Sequence, residues 1–127
     1  MNPLTLEWIN KAEADLISAQ RENRARNQPN YDSAWFHAQQ CVEKYLKGWL
    51  HDSGKTIPHI HNLAELVSLC AETDNTFAYL EPELKELNIY AVRTRYPGEN
   101  ATKEDAREAI RISNNARNFI RTKFGIL

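Results

Sequence analysis

The chain has 127 residues, of which 42% are hydrophobic and 26% are charged, and its 16 basic and 17 acidic side chains leave a formal charge of −1. This composition is typical of one soluble globular domain covering residues 1–127, and it excludes collagen-like and disordered proteins. The near-neutral charge also excludes a protein that coats nucleic acid through bulk electrostatics, so any contact with nucleic acid must be local.

Capping signals and apolar residues at helical spacing predict two long helices in the first half of the chain. The first helix is predicted from about Pro3 to about Arg26. The second is predicted from a cap at Asp32 or Ser33 to about His51.

Two further helical patterns follow. The third helix carries apolar residues from Leu63 to Cys70, and Pro82 suits the first turn of a fourth helix that stops at Pro97-Gly98. The stretch from Phe77 to Leu80 is ambiguous.

A last helix opens at Thr102-x-x-Asp105, which resembles a capping box, and runs through Phe124. No β-alternation competes with these helices. The sequence therefore predicts an all-α fold, an antiparallel up-and-down bundle of four long helices plus a short helical segment.

The second helix carries more apolar surface than a bundle helix usually needs. On the opposite side, Phe36, Gln40, Glu43 and Lys47 form a row. An aromatic ring beside three polar groups indicates a contact surface, whereas the alternative is a solvated face with one exposed Phe.

Two basic features are candidates for holding phosphate. One is the segment Arg93-Thr94-Arg95-Tyr96-Pro97-Gly98, whose guanidinium groups can grip phosphate and whose tyrosine can stack on a base. In the alternative interpretation, its arginines oppose the helix dipole and its tyrosine packs against protein. The other is an arc of polar and basic residues on the last helix. In the alternative interpretation, this arc is only a solvated flank of the helix. Its residues are Lys103, Arg107, Arg111, Asn114, Asn118 and Arg121.

Other chemistry has little support in the sequence. His59-x-His61 invites a metal interpretation, but no ligand falls at a matching spacing, so we expect no metal and expect His61 to cap or pack at the start of the third helix. Cys41 and Cys70 lack the spacing of a redox motif or a zinc knuckle. Nucleophile motifs and a glycine-rich phosphate loop are absent, and we expect no cofactor. With neither a secretory signal nor a membrane-spanning run, we expect a cytoplasmic protein that makes no membrane contact.

Four pieces of the sequence together resemble the HEPN family, the nucleotide-binding domains of higher eukaryotes and prokaryotes. The pieces are Trp8-x3-Ala12-x2-Asp15-Leu16, Ala38 through Lys47, His61-Asn62-Leu63 and Arg95-Tyr96-Pro97. The resemblance implies a helical bundle that dimerises with a cleft between its subunits. It also implies frequent pairing with a small nucleotidyltransferase in toxin–antitoxin modules.

Many ribonucleases of that family carry an Arg followed, after four to six residues, by a His. Arg95 matches the arginine region, but Gly98 through Thr102 provide no His. Because Arg stays protonated at neutral pH, it cannot replace the missing acid–base group. Metal-independent ribonuclease activity of the usual kind is therefore not expected.

Together with what the resemblance implies, these observations predict a non-catalytic homodimer that binds a nucleotide or an RNA end and partners a small nucleotidyltransferase protein. The arginines are predicted to hold phosphate, the tyrosine to stack or hydrogen-bond, and the polar groups of the second helix to line the same cleft. The predicted binding residues are Arg93, Arg95, Tyr96, Gln40, Glu43 and Lys47.

Two alternatives stay open. The first is a ribonuclease toxin with a non-standard base, either Tyr96 or His37. The second is a structural or adaptor bundle, in which the wide apolar arc of the second helix only makes a dimer.

Overall fold

The chain forms a bundle of α-helices in a computed structural model, which describes residues 1–93 and 96–126 and, for residues 90–93, the backbone alone. The helices are α1 (Pro3–Arg24), α2 (Tyr31–Asp52), α3 (Leu63–Thr73), α4 (Glu81–Arg93) and α5 (Lys103–Phe124), with a 3-10 helix at Asn75–Leu80. No β-strand occurs among the described residues, and the all-α prediction is confirmed. No helix in these ranges is both long and apolar enough to cross a membrane.

Helix α2 begins slightly earlier than its sequence predicts. The side chain of Asn30, and not that of Asp32 or Ser33, caps the helix by accepting a hydrogen bond from the Ser33 N–H at 2.9 Å. The Asp32 carboxylate instead accepts the N–H of Ala101 at 2.6 Å, which ties the start of α2 to the start of α5. The cap of α3 is Asn62 and not the neighbouring histidine.

The predicted capping box of α5 is present. The Thr102 hydroxyl accepts the N–H of Asp105 at 3.1 Å, and the Asp105 carboxylate accepts the N–H of Thr102 at 2.9 Å. At the other end, Gly125 adopts φ +76°, the left-handed conformation that glycine adopts without strain. Local sequence signals thus fix both ends of this helix.

Helices α1 and α2 form an antiparallel pair. Thr5, near the start of α1, lies 2.9 Å from the ring nitrogen of His51 near the end of α2. The two backbones approach closely at Gly48, where an added Cβ would lie 3.1 Å from the Cβ of Trp8. A Cβ at position 48 would therefore require Trp8 to shift by a few tenths of an ångström.

Helices α3 and α5 run in the same direction as α2. The Cys70 thiol contacts the carbonyl of Leu46 at 3.5 Å, and one turn later the indole of Trp49 donates to the Thr73 hydroxyl at 2.8 Å. Residues 53–62 therefore carry the chain back along α2 before α3 begins. The up-and-down alternation is interrupted at this connection.

Helix α2 is the centre of the bundle, because α1, α3, α4 and α5 all pack against it. Its wide apolar arc is buried within the chain, which removes this arc as evidence for a dimer surface. The buried apolar residues of α2 are Ala34, Trp35, Ala38, Cys41, Val42, Tyr45, Leu46 and Leu50.

The segment that is ambiguous in the sequence forms the 3-10 helix between α3 and α4. In such a helix, side chains three residues apart lie on the same side. Phe77 and Leu80 are both buried, whereas Tyr79 between them is exposed. This short turn therefore anchors itself in the core and presents one aromatic ring at the surface.

An ion-pair cluster joins α1 to α5. The guanidinium of Arg117 makes a forked contact with the Glu13 carboxylate, with N–O distances of 2.7 and 2.8 Å, and Arg121 lies 3.3 Å from the same carboxylate. Arg121 also donates to the hydroxyl of Tyr45 at 3.3 Å. The hydrogen bonds from Arg117 hold the pKa of Glu13 below its ordinary value.

We expect the substitution Glu13→Gln to destabilise the protein by about 1 kcal/mol at neutral pH, since the pair is partly exposed. A carboxyl with a lowered pKa stabilises the fold above its unfolded pKa, and that stabilisation is lost as the pH falls through the folded value. Urea unfolding at several pH values should therefore show that the free energies of unfolding of the wild type and Glu13→Gln converge below about pH 4.5, the ordinary pKa of Glu. Glu7→Gln, on an exposed face of the same helix, is the matched control. If the free energies of unfolding of the wild type and Glu13→Gln differ by the same amount at pH 7 and at pH 3, the lowered pKa of Glu13 does not stabilise the fold.

Candidate functional site

The predicted row on α2 is only partly a surface. Phe36 is exposed and Gln40 is half-buried, but Glu43 and Lys47 are 4% and 7% exposed. The expectation that all four face outward is therefore wrong for the last two. Their burial is tolerated because the two charges neutralise each other.

The first polar cluster on this side, the Glu43 cluster, consists of Glu43, Lys47 and His61. The Oε2 atom of Glu43 lies 3.1 Å from the Lys47 ammonium and 3.0 Å from the Nδ1 atom of His61. The Oε1 atom is buried and has no hydrogen-bond partner among the described residues. A buried oxygen without a partner costs about 1–3 kcal/mol, so the bundle retains a polar group here at the expense of stability.

His61 extends the Glu43 cluster to the surface. Its side chain is 76% exposed, whereas that of Glu43 is 5% exposed. The expectation that His61 caps or packs at the start of α3 is wrong, because Asn62 forms the cap and the imidazole turns towards Glu43. An exposed imidazole is thereby held by a buried carboxylate.

The second polar cluster, the Asp15 cluster, consists of Asp15, His37 and Lys44. The Asp15 carboxylate lies 2.8 Å from the Nδ1 atom of His37 and 2.5 Å from the Lys44 ammonium. Asp15 is buried between α1 and α2, while His37 and Lys44 are partly exposed. The Phe36 and His37 rings lie in an edge-to-face arrangement at a centroid distance of 5.5 Å.

The sequence carries one signal for the Asp15 cluster. Asp15 stands in the inward stripe of α1 beside Ala12, Leu16 and Ala19, where a charged residue needs a partner. Which partner it finds depends on the register between α1 and α2. Sequence reasoning therefore missed the contact with His37.

Helix α4 passes close to the Glu43 cluster. The amide oxygen of Asn88 accepts the N–H of Leu63, two residues after His61, at 3.3 Å. Arg93, the last residue of α4, follows five residues later, about 7.5 Å along the helix axis. The arginine-bearing end of α4 is thus near the start of α3.

The structure describes only part of the predicted arginine segment. The side chain of Arg93 and the whole of Arg95 lie outside the described residues. Tyr96 is described and is 63% exposed. Among the predicted binding residues that are described with their side chains, direct contact is made between Glu43 and Lys47.

The basic arc of α5 is largely paired with acidic groups. Arg107 lies 3.3 Å from Glu104, and Arg111 lies 2.6 Å from Glu108 and 2.7 Å from Glu83. The hydrogen bonds from Arg111 lower the pKa of the Glu108 carboxyl. These pairs favour the interpretation of the arc as a solvated flank.

The two cysteines are buried and unbonded to each other. Burial raises the pKa of Cys41 and of Cys70 to about 12, so both stay protonated and neither is suited to nucleophilic chemistry. Within residues 1–93 and 96–126, no three His, Cys, Asp or Glu side chains come together as metal ligands.

The family model of the HEPN domain matches residues 5–123 of the chain. The protein belongs to the HEPN family. No curated protein matches the chain.

Two solved structures resemble this HEPN domain over almost their whole length. The crystal structure of ST0689, an archaeal HEPN homologue, is 26% identical and has a TM-score of 0.73, with 94% of this chain and 96% of that one covered. The crystal structure of TT1696 from Thermus thermophilus is 24% identical and has a TM-score of 0.80, with 94% and 97% covered. The second likeness concerns the fold alone.

We expect Glu43→Ala to destabilise the protein by about 3–5 kcal/mol, because it leaves the Lys47 charge buried without a partner. The double variant Glu43→Leu with Lys47→Met should lose less stability than Glu43→Ala, because it removes both charges and keeps the side-chain volumes similar. Urea unfolding of the three proteins measures the difference. A double variant less stable than Glu43→Ala would show that the pair contributes net stability.

Proposed function

We propose that this HEPN protein is a non-catalytic homodimer that binds a nucleotide or an RNA end and partners a small nucleotidyltransferase protein in a toxin–antitoxin type of system. Arg93 and Arg95 hold phosphate, and Tyr96 stacks on a base or hydrogen-bonds to it. Gln40 lines the same cleft, and the buried pair Glu43 and Lys47 lies beneath it.

The observation that carries this proposal is the Glu43 cluster. A buried carboxylate holds Lys47 and the exposed His61, and one of its oxygens has no partner among the described residues. Buried polar groups that are left unsatisfied are candidates for a functional role. An N–H donor from a ligand or from Arg93 or Arg95 would satisfy this oxygen.

Charge explains why the arginines are needed. In the Glu43 and Asp15 clusters, two lysines are balanced by two carboxylates. These clusters orient donors but supply little net attraction for an anion. Two guanidinium groups at Arg93 and Arg95 provide the positive charge, and their fork geometry matches phosphate oxygens.

Exposed apolar side chains support the homodimer. Phe36 on α2, Ile89 on α4 and Tyr96 after α4 are 54%, 56% and 63% exposed. Large apolar groups on the elements that carry a proposed site are typical of an interface. A second copy of the chain that covers them would enclose the site between two subunits.

The nucleotidyltransferase partner rests on family resemblance. The simplest test is to read the open reading frame beside the gene, because a small nucleotidyltransferase encoded there supports the pairing. Co-expression of the two proteins and co-purification on a tag carried by the partner would then establish the complex. An isolated gene whose product purifies alone counts against this part of the proposal.

Binding is tested by calorimetric titration of AMP and of a short RNA into the wild type, Arg95→Ala and Arg21→Ala. We expect Arg95→Ala to weaken binding about tenfold or more, the loss typical of a charge-assisted hydrogen bond, while the exposed Arg21 serves as the matched control. Sedimentation at micromolar concentration should show a dimer. Equal heats for Arg95→Ala and the wild type would remove Arg95 from the site, and a strict monomer would contradict the shared cleft.

One observation favours a second candidate, the ribonuclease. The Asp15–His37 contact of 2.8 Å is the arrangement in which a carboxylate orients an imidazole that acts as a general base. His37 would take the proton of the 2′-hydroxyl as that oxygen attacks phosphorus, and the 5′-oxygen would leave with a proton from a general acid.

The ribonuclease candidate predicts that expression of the protein degrades cellular RNA and slows growth. His37→Ala should abolish both effects, and His59→Ala, at an exposed histidine of the connection before α3, should abolish neither. RNA integrity after induction measures the outcome. Intact RNA with the wild type would exclude this candidate and leave the binding function.

A further inference from the structure

A second surface, formed by the 3-10 helix and α5, carries an aromatic pair unrelated to the α2 side. Tyr79 is 70% exposed, and its ring stacks on that of Phe119 with a centroid distance of 6.0 Å and an interplanar angle of 21°. One exposed aromatic ring needs no explanation, but a stacked ring whose outer face is open to solvent is a ready platform for another flat group.

The platform is rigid because it is continuous with the core. Phe119 meets Phe77 edge to face at 5.3 Å, and Phe77 in turn packs against Trp49 at 4.9 Å. The 3-10 helix that carries Tyr79 is capped by Asp74, which accepts the N–H of Thr76 at 3.0 Å. A ligand that stacks on Tyr79 therefore meets a surface that is already ordered, which reduces the entropic cost of binding.

Polar groups surround this platform. A cleft of about 300 Å³ opens beside it, at the lower end of the size range of ligand pockets, which fits one flat heterocycle. Its lining residues are Tyr79, Asn115, Asn118, Phe119, Thr122 and Lys123.

The two asparagines present a donor and an acceptor one helical turn apart. Asn115 donates its amide N–H to Glu83 at 2.8 Å, and its Oδ1 atom has no hydrogen bond among the described residues. The Oδ1 atom of Asn118 accepts from Arg117 at 3.1 Å, and its Nδ2 atom is likewise unused within that part of the chain. A free acceptor beside a free donor complements the edge of a nucleobase.

The charges at the cleft are balanced. Lys123 lies 3.0 Å from Asp74 and 5.5 Å from the centroid of the Phe119 ring. Hydrogen bonds from Thr76 and Lys123 lower the pKa of Asp74 to about 2, so this carboxylate stays charged at neutral pH. The surface therefore offers little attraction for phosphate and is suited to an uncharged planar group.

We propose that Tyr79, Asn115 and Asn118 form a binding site for a nucleobase, which stacks on the open face of Tyr79 and hydrogen-bonds to the two amides. The site shares no residue with the proposed phosphate site, and this proposal does not depend on that one. The base can belong to a free nucleoside or nucleotide or to a single-stranded RNA. Because stacking and not charge holds the base, the affinity for uncharged adenosine depends only weakly on salt.

Calorimetric titrations of adenosine, AMP and a hexa-adenylate RNA at low and high salt test the proposal. We expect Tyr79→Ala to weaken binding about tenfold or more, as stacking on one aromatic ring is worth roughly 1–3 kcal/mol per base. Tyr79→Phe, which keeps the ring and removes the hydroxyl, should stay within about twofold of the wild type by the same argument. Thermal unfolding of Tyr79→Ala checks that the exposed substitution leaves the fold intact.

The probes separate the two sources of the base. In an Arg95→Ala background, which weakens the proposed phosphate site, equal affinity for adenosine and the RNA indicates a free nucleoside, and tighter binding of the RNA indicates a strand, provided that adding Tyr79→Ala weakens both. Arg21→Ala, at an exposed residue outside both proposed sites, should leave adenosine binding unchanged. If adenosine does not bind, or if Tyr79→Ala binds it as the wild type does, the nucleobase site is refuted; Asn118→Ala with unaltered affinity refutes the role of the amide.

Discussion

The enclosure of α2 by four other helices is the constraint on which the rest of the structure depends. Burying this helix removes its apolar arc from water, and it also takes Glu43 and Lys47 out of solvent. A buried ion pair is weak as a source of stability, because desolvation offsets much of the attraction. The bundle tolerates the pair because each charge lies within hydrogen-bond distance of the opposite one. The Glu43 carboxylate is thereby fixed below the surface, where the exposed His61 contacts it.

Helices and their ends could be predicted where the signals are local, and less well where distant residues decide. The capping box at Thr102 uses atoms three residues apart, and its prediction is confirmed. The cap of α2 is different, since Asn30, Asp32 and Ser33 are all good capping residues and the choice depends on Asp32 binding Ala101, 69 residues away. The direction of α3 relative to α2 likewise depends on tertiary packing and has no local signal.

The candidate site shows the same division. The spacing of Glu43 and Lys47 marks them as neighbours on one helix, but their burial depends on what the remainder of the bundle places over them. The contact of Asp15 with His37 and the stacking of Tyr79 on Phe119 join residues on different elements, so neither could be read from spacing alone. The predicted roles of Arg93 and Arg95 remain predictions.

The phosphate site is proposed to combine the charges of Arg93 and Arg95 with Tyr96, whereas the nucleobase site relies on stacking and uncharged amides, and the two sites can be distinguished residue by residue. The most direct test of the phosphate site is an NMR titration of the ¹⁵N-labelled protein with AMP, in which backbone amide shifts are followed. The account predicts that one group of shifted amides includes Gln40, Glu43, Lys47 and the segment from Arg93 to Tyr96. Shifts that leave all of these residues unmoved would contradict it.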